Sequence, residues 1–228
     1  MFNRQKVGAI IVAAGESSRM GGIDKMFAPL AGKPVLARVV AAFERAPSVD
    51  RIALVLNAHN IERGRRLAGT EHWQKVDAIV PGGALRQDSV KEGLGKLGDC
   101  KWILVHDGAR PLVTVELIEA GLKAARETGA AICAVPVTDT IKLESTQGLV
   151  VRTLKRERLR AVQTPQVFRS DIIKEACAQD AGEATDDASL VEALGYRVKI
   201  YPGDYDNIKL TTPADLTVAE VLWRRKGC

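Results

Sequence analysis

The stretch GAIIVAAGESSRMGGIDK, which runs from Gly8 to Lys25, holds the pattern that decides the fold of this chain. It starts with an uninterrupted apolar run, passes into small residues around Gly15, and ends on two cations, Arg19 and Lys25. A continuous apolar run is typical of a strand that is buried on both faces of a parallel sheet. The small residues would let backbone N–H groups approach an anion, so the stretch predicts either a phosphate-binding turn or an ordinary solvent-exposed turn.

Outward from this stretch, short apolar runs alternate with helical segments along most of the chain. The predicted strands and helices read, in order, VGAIIVAA, PVLARVVAAFERA, RIALVLN, IERGRRLAG, VDAIVPGG, RQDSVKEGLGKL, WILVHDGA, VELIEAGLKAARETG and AAICAVPV. This order is typical of βα units around a mostly parallel sheet, and we expect one α/β domain over residues 1–228. Because ligands bind at the carboxyl ends of the strands in such folds, the residues just after each strand are the functional candidates.

The alternation is interrupted after Val137. The segment TDTIKLESTQGLVVRTLKRERLRAVQTPQVF, residues 138–168, reads as two extended stretches around a TQG turn, which predicts a hairpin that projects from the main body. Helical segments then return, with the strand RVKIYPG between them and a final helix after it. Thr212 and Pro213 predict the start of that helix, because Thr caps helices and Pro fits their first turn.

Composition narrows the class of protein. The 228 residues are 46% apolar and 4% aromatic, with a formal net charge of +5. Few aromatics argue against base stacking on nucleic acid, while the basic balance suits either an anionic ligand or a solvated surface. The four cysteines form no CxxC pair, so neither a zinc site nor a disulfide framework is predicted. The N-terminal apolar run is too short to span a membrane, and we expect a cytoplasmic protein with no nucleic-acid or membrane partner.

Several polar side chains follow the predicted strands. Asp107 could bind a sugar hydroxyl or a divalent metal, or could simply order its own loop with Arg110 as a partner. The glycines of PGGALRQDSV could lie against a base, although a plain strand-to-helix turn would look the same. Later segments supply further cations and hydroxyls, each of which alone also suits a solvated face or a helix cap: Arg156, Thr164, Thr185 and Lys209.

Taken in order, AAGESSRMGGIDK, GGALRQDSV, HDGARP, QTPQVF, TDDAS and DNIKLT resemble the 2-C-methyl-D-erythritol 4-phosphate cytidylyltransferases of the non-mevalonate isoprenoid pathway. The resemblance covers essentially the whole chain. It implies a Rossmann-like nucleotidyltransferase fold of the nucleotide-diphospho-sugar transferase type, with a hairpin arm at about residues 138–160 that joins a homodimer. It also implies CTP as co-substrate, Mg²⁺ as cofactor, methylerythritol 4-phosphate as acceptor, and pyrophosphate as a product.

The same resemblance implies roles for single residues. Four cations are implied as catalytic, the first two for the triphosphate and the last two for the acceptor phosphate: Arg19, Lys25, Arg156 and Lys209. The implied acceptor contacts are Asp107, Arg156, Thr164, Thr185 and Lys209. The implied nucleotide contacts are Val12, Ala13, Ala14, Gly15, Gly83, Ala84, Ser89, Asp107 and Arg110. Asp107 is also the implied metal ligand, and the arm is expected to bring Arg156 to the partner's site.

Two departures from the family and three alternatives stay open. Ser17 stands where members often have glycine, and the segment from Met20 to Lys25 is shorter than in some members. The nearest alternative is a cytidylyltransferase for another polyol phosphate, such as ribitol 5-phosphate. A non-catalytic nucleotide-binding scaffold is more remote. A glycosyltransferase of the same broad fold would be expected to have a DxD motif, whereas HDGAR offers one carboxylate.

Overall fold

The structure is a computed structural model that describes residues 2, 5–15, 20–22, 24–179 and 184–226. Two residues named above, Ser17 and Arg19, lie outside these ranges. The strands of the described residues are β1 (Val7–Ala13), β2 (Pro29–Leu30), β3 (Lys33–Pro34), β4 (Arg51–Leu56), β5 (Val76–Pro81), β6 (Trp102–Asp107), β7 (Ala130–Pro136), β8 (Lys142–Glu144), β9 (Val150–Thr153), β10 (Arg160–Arg169) and β11 (Lys199–Pro202). The helices are α1 (Val35–Arg45), α2 (Ile61–Thr70), α3 (Arg86–Lys96), α4 (Val115–Ala125), α5 (Ser170–Ala178), α6 (Asp187–Ala193) and α7 (Pro213–Arg225).

One seven-stranded sheet organises the molecule, in the strand order β11-β7-β10-β6-β1-β4-β5. Neighbouring strands are parallel except at β10, which lies antiparallel between β6 and β7. The expected α/β fold with a mostly parallel central sheet is confirmed. In the part of the chain that the structure describes, no helix is both long and apolar enough to cross a membrane.

Both faces of the sheet are covered by helices, which explains the continuous apolar runs of the strands. One face packs against α1 and α4, and Phe43 of α1 is fully buried there. The other face packs against α3, α5 and α6, around the fully buried Phe168 of β10. Burial of one such large side chain stabilises the fold by about 1.5–3 kcal/mol. The strand ends therefore sit on a rigid base that positions the loops above them.

Residues 138–168 form two structures, which corrects the expectation of a single hairpin. Strands β8 and β9 pair as a separate two-stranded hairpin, with Gly148 of the TQG turn at a φ of 76°. The rest of the segment belongs to β10, whose residues 163–168 are buried in the central sheet. A register shift between Val162 and Gln166 accommodates Pro165, which has no N–H to donate to the neighbouring strand. β10 places its polar residues next to the end of β6.

The sequence also predicted the residues at which α7 and α6 begin. The prediction for α7 is confirmed, and Thr185 as the cap of α6 is wrong. α7 begins as expected at Thr212 and Pro213, and Asp215 Oδ2 accepts the Thr212 N–H at 2.8 Å. For α6, however, the cap is Asp186 and not Thr185: Asp186 Oδ1 accepts the Ser189 N–H at 3.0 Å. The carboxylate is the stronger acceptor for these N–H groups, so Thr185 lies outside the helix and is exposed.

Candidate active site

A cavity of about 360 Å³ opens where β1, β5 and β6 end. Seven residues that were predicted for a nucleotide pocket line it: Val12, Ala13, Ala14, Gly15, Gly83, Ala84 and Ser89. Lys25, Asp107 and Lys209 lie in the same wall. The structure thus brings together most of the sequence-predicted nucleotide contacts. Arg110, predicted for the same group, borders a second cavity instead.

Small residues are needed at this wall because the loops approach each other closely. A Cβ on Gly82 would lie 2.3 Å from the Ala14 Cβ and 2.5 Å from the Ser89 Oγ. Such distances are far below van der Waals contact, so only glycine allows the loop after β5 to pack against the start of α3. At Gly15, by contrast, a Cβ would meet no atom within 4 Å and would project into open space. The glycines therefore shape the cavity in two ways, by close packing and by leaving room.

Lys25 reaches the cavity from a loop that Asp24 holds in place. Asp24 Oδ1 accepts the Met26 N–H at 3.1 Å, and Asp24 Oδ2 accepts a hydrogen bond from Asn60 Nδ2 at 2.8 Å. Asn60 ends the short 3₁₀ helix Ala58–Asn60 that follows β4, so the bond joins two neighbouring connections at the carboxyl edge of the sheet. The backbone on both sides of Lys25 is thereby fixed relative to the cavity.

Asp107, the last residue of β6, lies at the centre of a group of cations. Lys209 Nζ lies 2.9 Å from its Oδ2, and Arg86 Nη2 lies 3.3 Å from its Oδ1. Arg110 Nε is 3.6 Å from Oδ2. Burial opposes ionisation of this carboxyl, but the charges of Lys209 and Arg86 outweigh it and hold the pKa of Asp107 well below its usual range. Asp107 is therefore ionised at neutral pH and anchors the surrounding cations.

The backbone at Asp107 is held by a chain of hydrogen bonds through β10. The Asp107 N–H donates to Thr164 Oγ1 at 3.0 Å, and this oxygen lies 3.1 Å from His106 Nδ1. His106 Nε2 lies 3.2 Å from the Arg110 carbonyl oxygen, which can only accept, so Nε2 carries the proton and Nδ1 accepts from the Thr164 hydroxyl. Burial lowers the pKa of His106 to about 4, so the ring is neutral. Its role here is structural.

A second cavity, of about 460 Å³, adjoins the first. Its wall includes Arg110, Thr164 and Thr185, which were predicted for substrate or nucleotide contacts. Arg86, Asp107 and Lys209 border both cavities and form their shared wall. The exposed Thr185 can present its hydroxyl to this space, whereas the Thr164 hydroxyl is already engaged by its own chain. The two cavities thus share a wall that carries two cations and one carboxylate.

Two predicted catalytic cations are not brought to this boundary by the described part of the chain. Arg156 begins the short 3₁₀ helix Arg156–Arg158 after the hairpin, is exposed, and donates from Nη1 to the Thr138 carbonyl oxygen at 2.9 Å. It is absent from the described walls of both cavities. Arg19 lies outside the described residues. Lys25 and Lys209 are the predicted catalytic cations that the structure places at the cavities.

Arg86 is a residue that sequence reasoning missed. It is the first residue of α3, and its Nη1 lies 2.6 Å from Asp187 Oδ2. Burial works against the charge of Arg86, but Asp187 and Asp107 together raise its pKa. An arginine in the first turn of a helix usually points to solvent, and the segment GGALRQDSV offers no sign of a carboxylate partner 101 positions away.

A divalent metal at the cavities would depend on the donor groups around Asp107. In the ranges that the structure describes, no three His, Cys, Asp or Glu side chains cluster closely enough to hold a metal ion. Asp107 is a carboxylate that borders both cavities. Because Mg²⁺ in proteins is commonly held by one or two carboxylates together with substrate phosphates, this donor set suits a metal ion that arrives with a triphosphate.

A mostly parallel sheet with a glycine-shaped cavity and an adjoining polar cavity at its carboxyl edge is typical of the α/β class of nucleotide-binding proteins. Within that class the assignment is specific. The family model IspD, 2-C-methyl-D-erythritol 4-phosphate cytidylyltransferase, matches residues 7–225, and the chain belongs to this family. The family resemblance identified from the sequence motifs is confirmed.

Individual relatives are similar over nearly the full length. Two proteins of Dehalococcoides mccartyi named 2-C-methyl-D-erythritol 4-phosphate cytidylyltransferase are 56% identical (strain CBDB1) and 54% identical (strain 195) to this chain. Each similarity extends over 225 residues and covers 99% of both chains. The crystal structure of 4-diphosphocytidyl-2C-methyl-D-erythritol synthase from Anaerococcus prevotii DSM 20548 is similar with a TM-score of 0.86, at 29% identity and with 98% of each chain covered.

Proposed function

We propose that this chain transfers the cytidylyl group of CTP to 2-C-methyl-D-erythritol 4-phosphate, giving 4-diphosphocytidyl-2-C-methyl-D-erythritol and pyrophosphate. The observation that carries this proposal is the pair of cavities that meet at Arg86, Asp107 and Lys209. Transfer between two phosphates requires two anion sites with a common boundary, because the attacking oxygen must reach the α-phosphorus in line with the leaving group.

The first cavity is assigned to CTP and the second to the acceptor. The first is shaped by glycine and alanine backbone at the ends of β1 and β5, which can approach a base and phosphate oxygens closely. The second is lined by polar groups, including Arg110 and the hydroxyl of Thr185, which suit a small polyol phosphate. Lys209 borders both spaces and is assigned to the acceptor phosphate at the boundary.

The chemistry requires no general base from the protein. A phosphate monoester has a second pKa of about 6, so the acceptor is mostly a dianion at neutral pH and its own oxygen is the nucleophile. One P–O bond forms between that oxygen and the α-phosphorus of CTP. The P–O bond between the α-phosphorus and the α,β-bridging oxygen breaks, and its electron pair leaves with pyrophosphate. The buried, neutral His106 fits this scheme because no proton has to be removed.

The protein's contribution is then position and positive charge. Lys25 borders the first cavity and is assigned to the charge that develops on the triphosphate, together with Arg19. Fixed cations at such positions stabilise the transition state because they need no reorganisation during the reaction. Lys209 is held by Asp107 at 2.9 Å while 48% of its side chain remains exposed, so the same ammonium can also contact the acceptor phosphate.

We propose that Mg²⁺ binds with the triphosphate and that Asp107 is its protein ligand. When bound, the metal would neutralise charge on the triphosphate and on the leaving pyrophosphate. The low pKa of Asp107 supports this assignment because the carboxylate is ionised at neutral pH. The donor set supports it as well, since substrate oxygens complete the ligands that the protein does not supply.

We infer that the β8–β9 hairpin joins two copies of the chain. Its apolar side chains are exposed: Leu143 (43%), Leu149 (63%), Val150 (64%) and Val151 (59%). Contiguous apolar surface on a projecting arm is typical of a protein interface. Arg156 lies just beyond the hairpin and away from its own chain's cavities, so the partner's second cavity is the site that it would serve. We also propose a cytoplasmic location, supported by the unpaired thiols of Cys100, Cys133 and Cys177.

Release of pyrophosphate tests the proposed function. The protein is incubated with Mg²⁺ and each nucleoside triphosphate against methylerythritol 4-phosphate, ribitol 5-phosphate or a sugar 1-phosphate. We expect release with CTP and methylerythritol 4-phosphate, and none when the acceptor is omitted. Faster turnover of ribitol 5-phosphate would assign the chain to a different acceptor, and no release with any pair would point to a nucleotide-binding scaffold.

A further inference from the structure

The wall between the two cavities contains an arginine that none of the roles above uses. Arg86 borders both cavities, and its side chain is 26% exposed. Its two terminal nitrogens reach carboxylates on different elements. Nη1 lies 2.6 Å from Asp187 Oδ2 in α6, and Nη2 lies 3.3 Å from Asp107 Oδ1 at the end of β6. The planar guanidinium therefore links the nucleotide side of the site to the acceptor side.

Asp187 is buried and needs such a partner. Its side chain is 1% exposed, and a carboxylate removed from water is costly unless a cation compensates it. Burial raises the pKa of Asp187, and Arg86 opposes that rise through its charge and its hydrogen bond. The pair fixes one end of the Arg86 guanidinium to the start of α6.

From Asp187 the charges alternate across four segments of the chain. Asp187 contacts Arg86, Arg86 contacts Asp107, and Asp107 contacts Lys209 at 2.9 Å. The row begins in α6 and ends in the loop between β11 and α7, which provides Lys209. Arg86 and Asp107, the two inner residues of this row, each lie between two groups of opposite charge. Removal of Arg86 therefore leaves one side of Asp107 without its cation and weakens the support of Lys209.

We propose that Arg86, held by Asp187, is a positioning residue that fixes Asp107 and through it Lys209 in the orientation that phosphoryl transfer requires. This inference rests on the proposed function, in which Lys209 holds the acceptor phosphate. In this role Arg86 acts through Asp107. Its loss therefore lowers kcat and raises the KM for the acceptor, while the KM for CTP, which depends on Asp107 only through the metal, rises less.

Arg86→Gln is the main variant, and the chain offers a closely matched control. Arg51 also bridges two carboxylates, Asp77 and Asp99, and its side chain is 28% exposed. It lies at the start of β4, at the opposite edge of the sheet from the cavities. We expect Arg86→Gln to lower kcat with CTP and methylerythritol 4-phosphate by about 10- to 100-fold, as is typical when the support of a functional group is removed. Arg51→Gln should keep the kcat and both KM values of the unchanged protein.

Two further variants separate positioning from folding. Arg86→Lys keeps the charge but has no planar fork to reach both carboxylates, so it should recover only part of the lost kcat. Arg86→Gln combined with Asp187→Asn should lose no more kcat than Arg86→Gln alone, because both changes break the same link. The double variant also leaves no uncompensated buried carboxylate, so it decides the question if Arg86→Gln does not fold.

The outcomes distinguish this inference from the proposed function. If the unchanged protein does not turn over CTP and methylerythritol 4-phosphate, the proposed function is wrong whatever Arg86 does. If it does, and Arg86→Gln matches Arg51→Gln in kcat and both KM values, the positioning role is wrong. Where only the double variant folds, full activity contradicts the role and a 10- to 100-fold loss of kcat supports it.

Discussion

At the scale of single residues, the charge of Asp107 sets the properties of the boundary between the cavities. Burial alone would favour its neutral form, but Lys209 and Arg86 keep the pKa of Asp107 well below its usual range. The ionised carboxylate in turn holds Lys209 Nζ at 2.9 Å, at the edge of both cavities. Lys25 reaches the first cavity from a separate loop, between β1 and β2. The two lysines therefore come from different loops, which agrees with the proposal that they act on different phosphates.

We predict that Lys25→Ala and Lys209→Ala impair different steps. Lys25→Ala should lower kcat by about 10²- to 10³-fold, because a fixed charge that stabilises the transition state is lost. Lys209→Ala should also raise the KM for methylerythritol 4-phosphate, since the acceptor phosphate loses a contact that it makes before transfer. Steady-state kinetics with each substrate varied separately would measure both effects.

The matched control for these variants is Lys33→Ala. Lys33 is 50% exposed and paired with Glu71, much as Lys209 is 48% exposed and paired with Asp107, but it lies in β3, which contributes no residue to the described walls of the two cavities. Its kinetics should equal those of the unchanged protein. Near-normal kinetics for both Lys25→Ala and Lys209→Ala would show that the roles implied by the family do not apply here.

At the scale of elements, β6 and β10 are joined beneath the site by buried side chains. The Thr164 hydroxyl in β10 accepts the Asp107 N–H, and donates to His106 in β6. This antiparallel contact keeps the end of β6 from moving relative to β10. It also makes the stability of the fold sensitive to the protonation of His106, because protonation of Nδ1 would remove the acceptor that the Thr164 hydroxyl uses.

We predict that the protein loses stability as the pH falls from about 6.5 to about 4. Burial lowers the pKa of His106 from 6.5 to about 4, so in this window the unfolded chain binds a proton that the folded chain does not. The unfolded state is therefore favoured as the pH falls, by about 3 kcal/mol at pH 4 from this group alone. Denaturant unfolding at a series of pH values would measure the change in the free energy of unfolding.

His106→Gln isolates this contribution. The variant should show a weaker dependence of unfolding free energy on pH between about 4 and 6.5 than the unchanged protein. His59→Gln, at an exposed histidine in the loop after β4, is the control and should keep the original dependence. An identical pH dependence for His106→Gln and the unchanged protein would mean that His106 does not link stability to pH.

The same two strands show what the sequence could and could not predict. The apolar run of β6 gives a buried parallel strand and places Asp107 at its end, and both follow directly from the sequence pattern. β10 was assigned to the hairpin because residues 138–168 read as two extended stretches around one TQG turn. Those polar groups are satisfied inside the sheet, the Thr164 hydroxyl by its contacts to β6, and only the folded structure provides such partners.

In the site, too, local sequence patterns predict some positions, whereas others depend on long-range packing. Residues next to a strand end, such as Gly15 and Ala84, line the first cavity because position along the strand decides their place, and their contact with a nucleotide stays a prediction. Arg86 was missed because its partners are Asp107 and Asp187, which lie 21 and 101 positions further along the chain. Pairings at that separation depend on the packing of α3, β6 and α6, which no local pattern encodes.

At the scale of the whole molecule, the hairpin exposes apolar side chains that the rest of the described chain does not cover. Its apolar side chains face solvent, while Arg156 lies away from its own cavities. We predict a dimer in solution, with twice the mass of one chain by light scattering. Val150→Lys should give the mass of one chain and reduced transfer activity, because a lysine is costly to bury in an apolar interface.

Val221→Lys is the control for that change. Val221 lies in α7 and is 63% exposed, against 64% for Val150, so the two substitutions alter a similar amount of exposed apolar surface. Val221→Lys should leave both mass and activity as they are. A single-chain mass for the unchanged protein at assay concentration, together with full activity, would exclude a site completed by the partner's hairpin.

In the proposed reaction the two cavities hold CTP and the acceptor so that a bond forms between the α-phosphorus of CTP and the phosphate of the acceptor. Phosphorus NMR of a reaction containing the protein, Mg²⁺, CTP and methylerythritol 4-phosphate tests it most directly, since it identifies the new bond as well as the leaving group. We expect the two coupled signals of a diphosphate diester, appearing in step with pyrophosphate. Pyrophosphate accompanied by CMP, with the acceptor phosphate signal unchanged, would show hydrolysis in place of transfer and would contradict it.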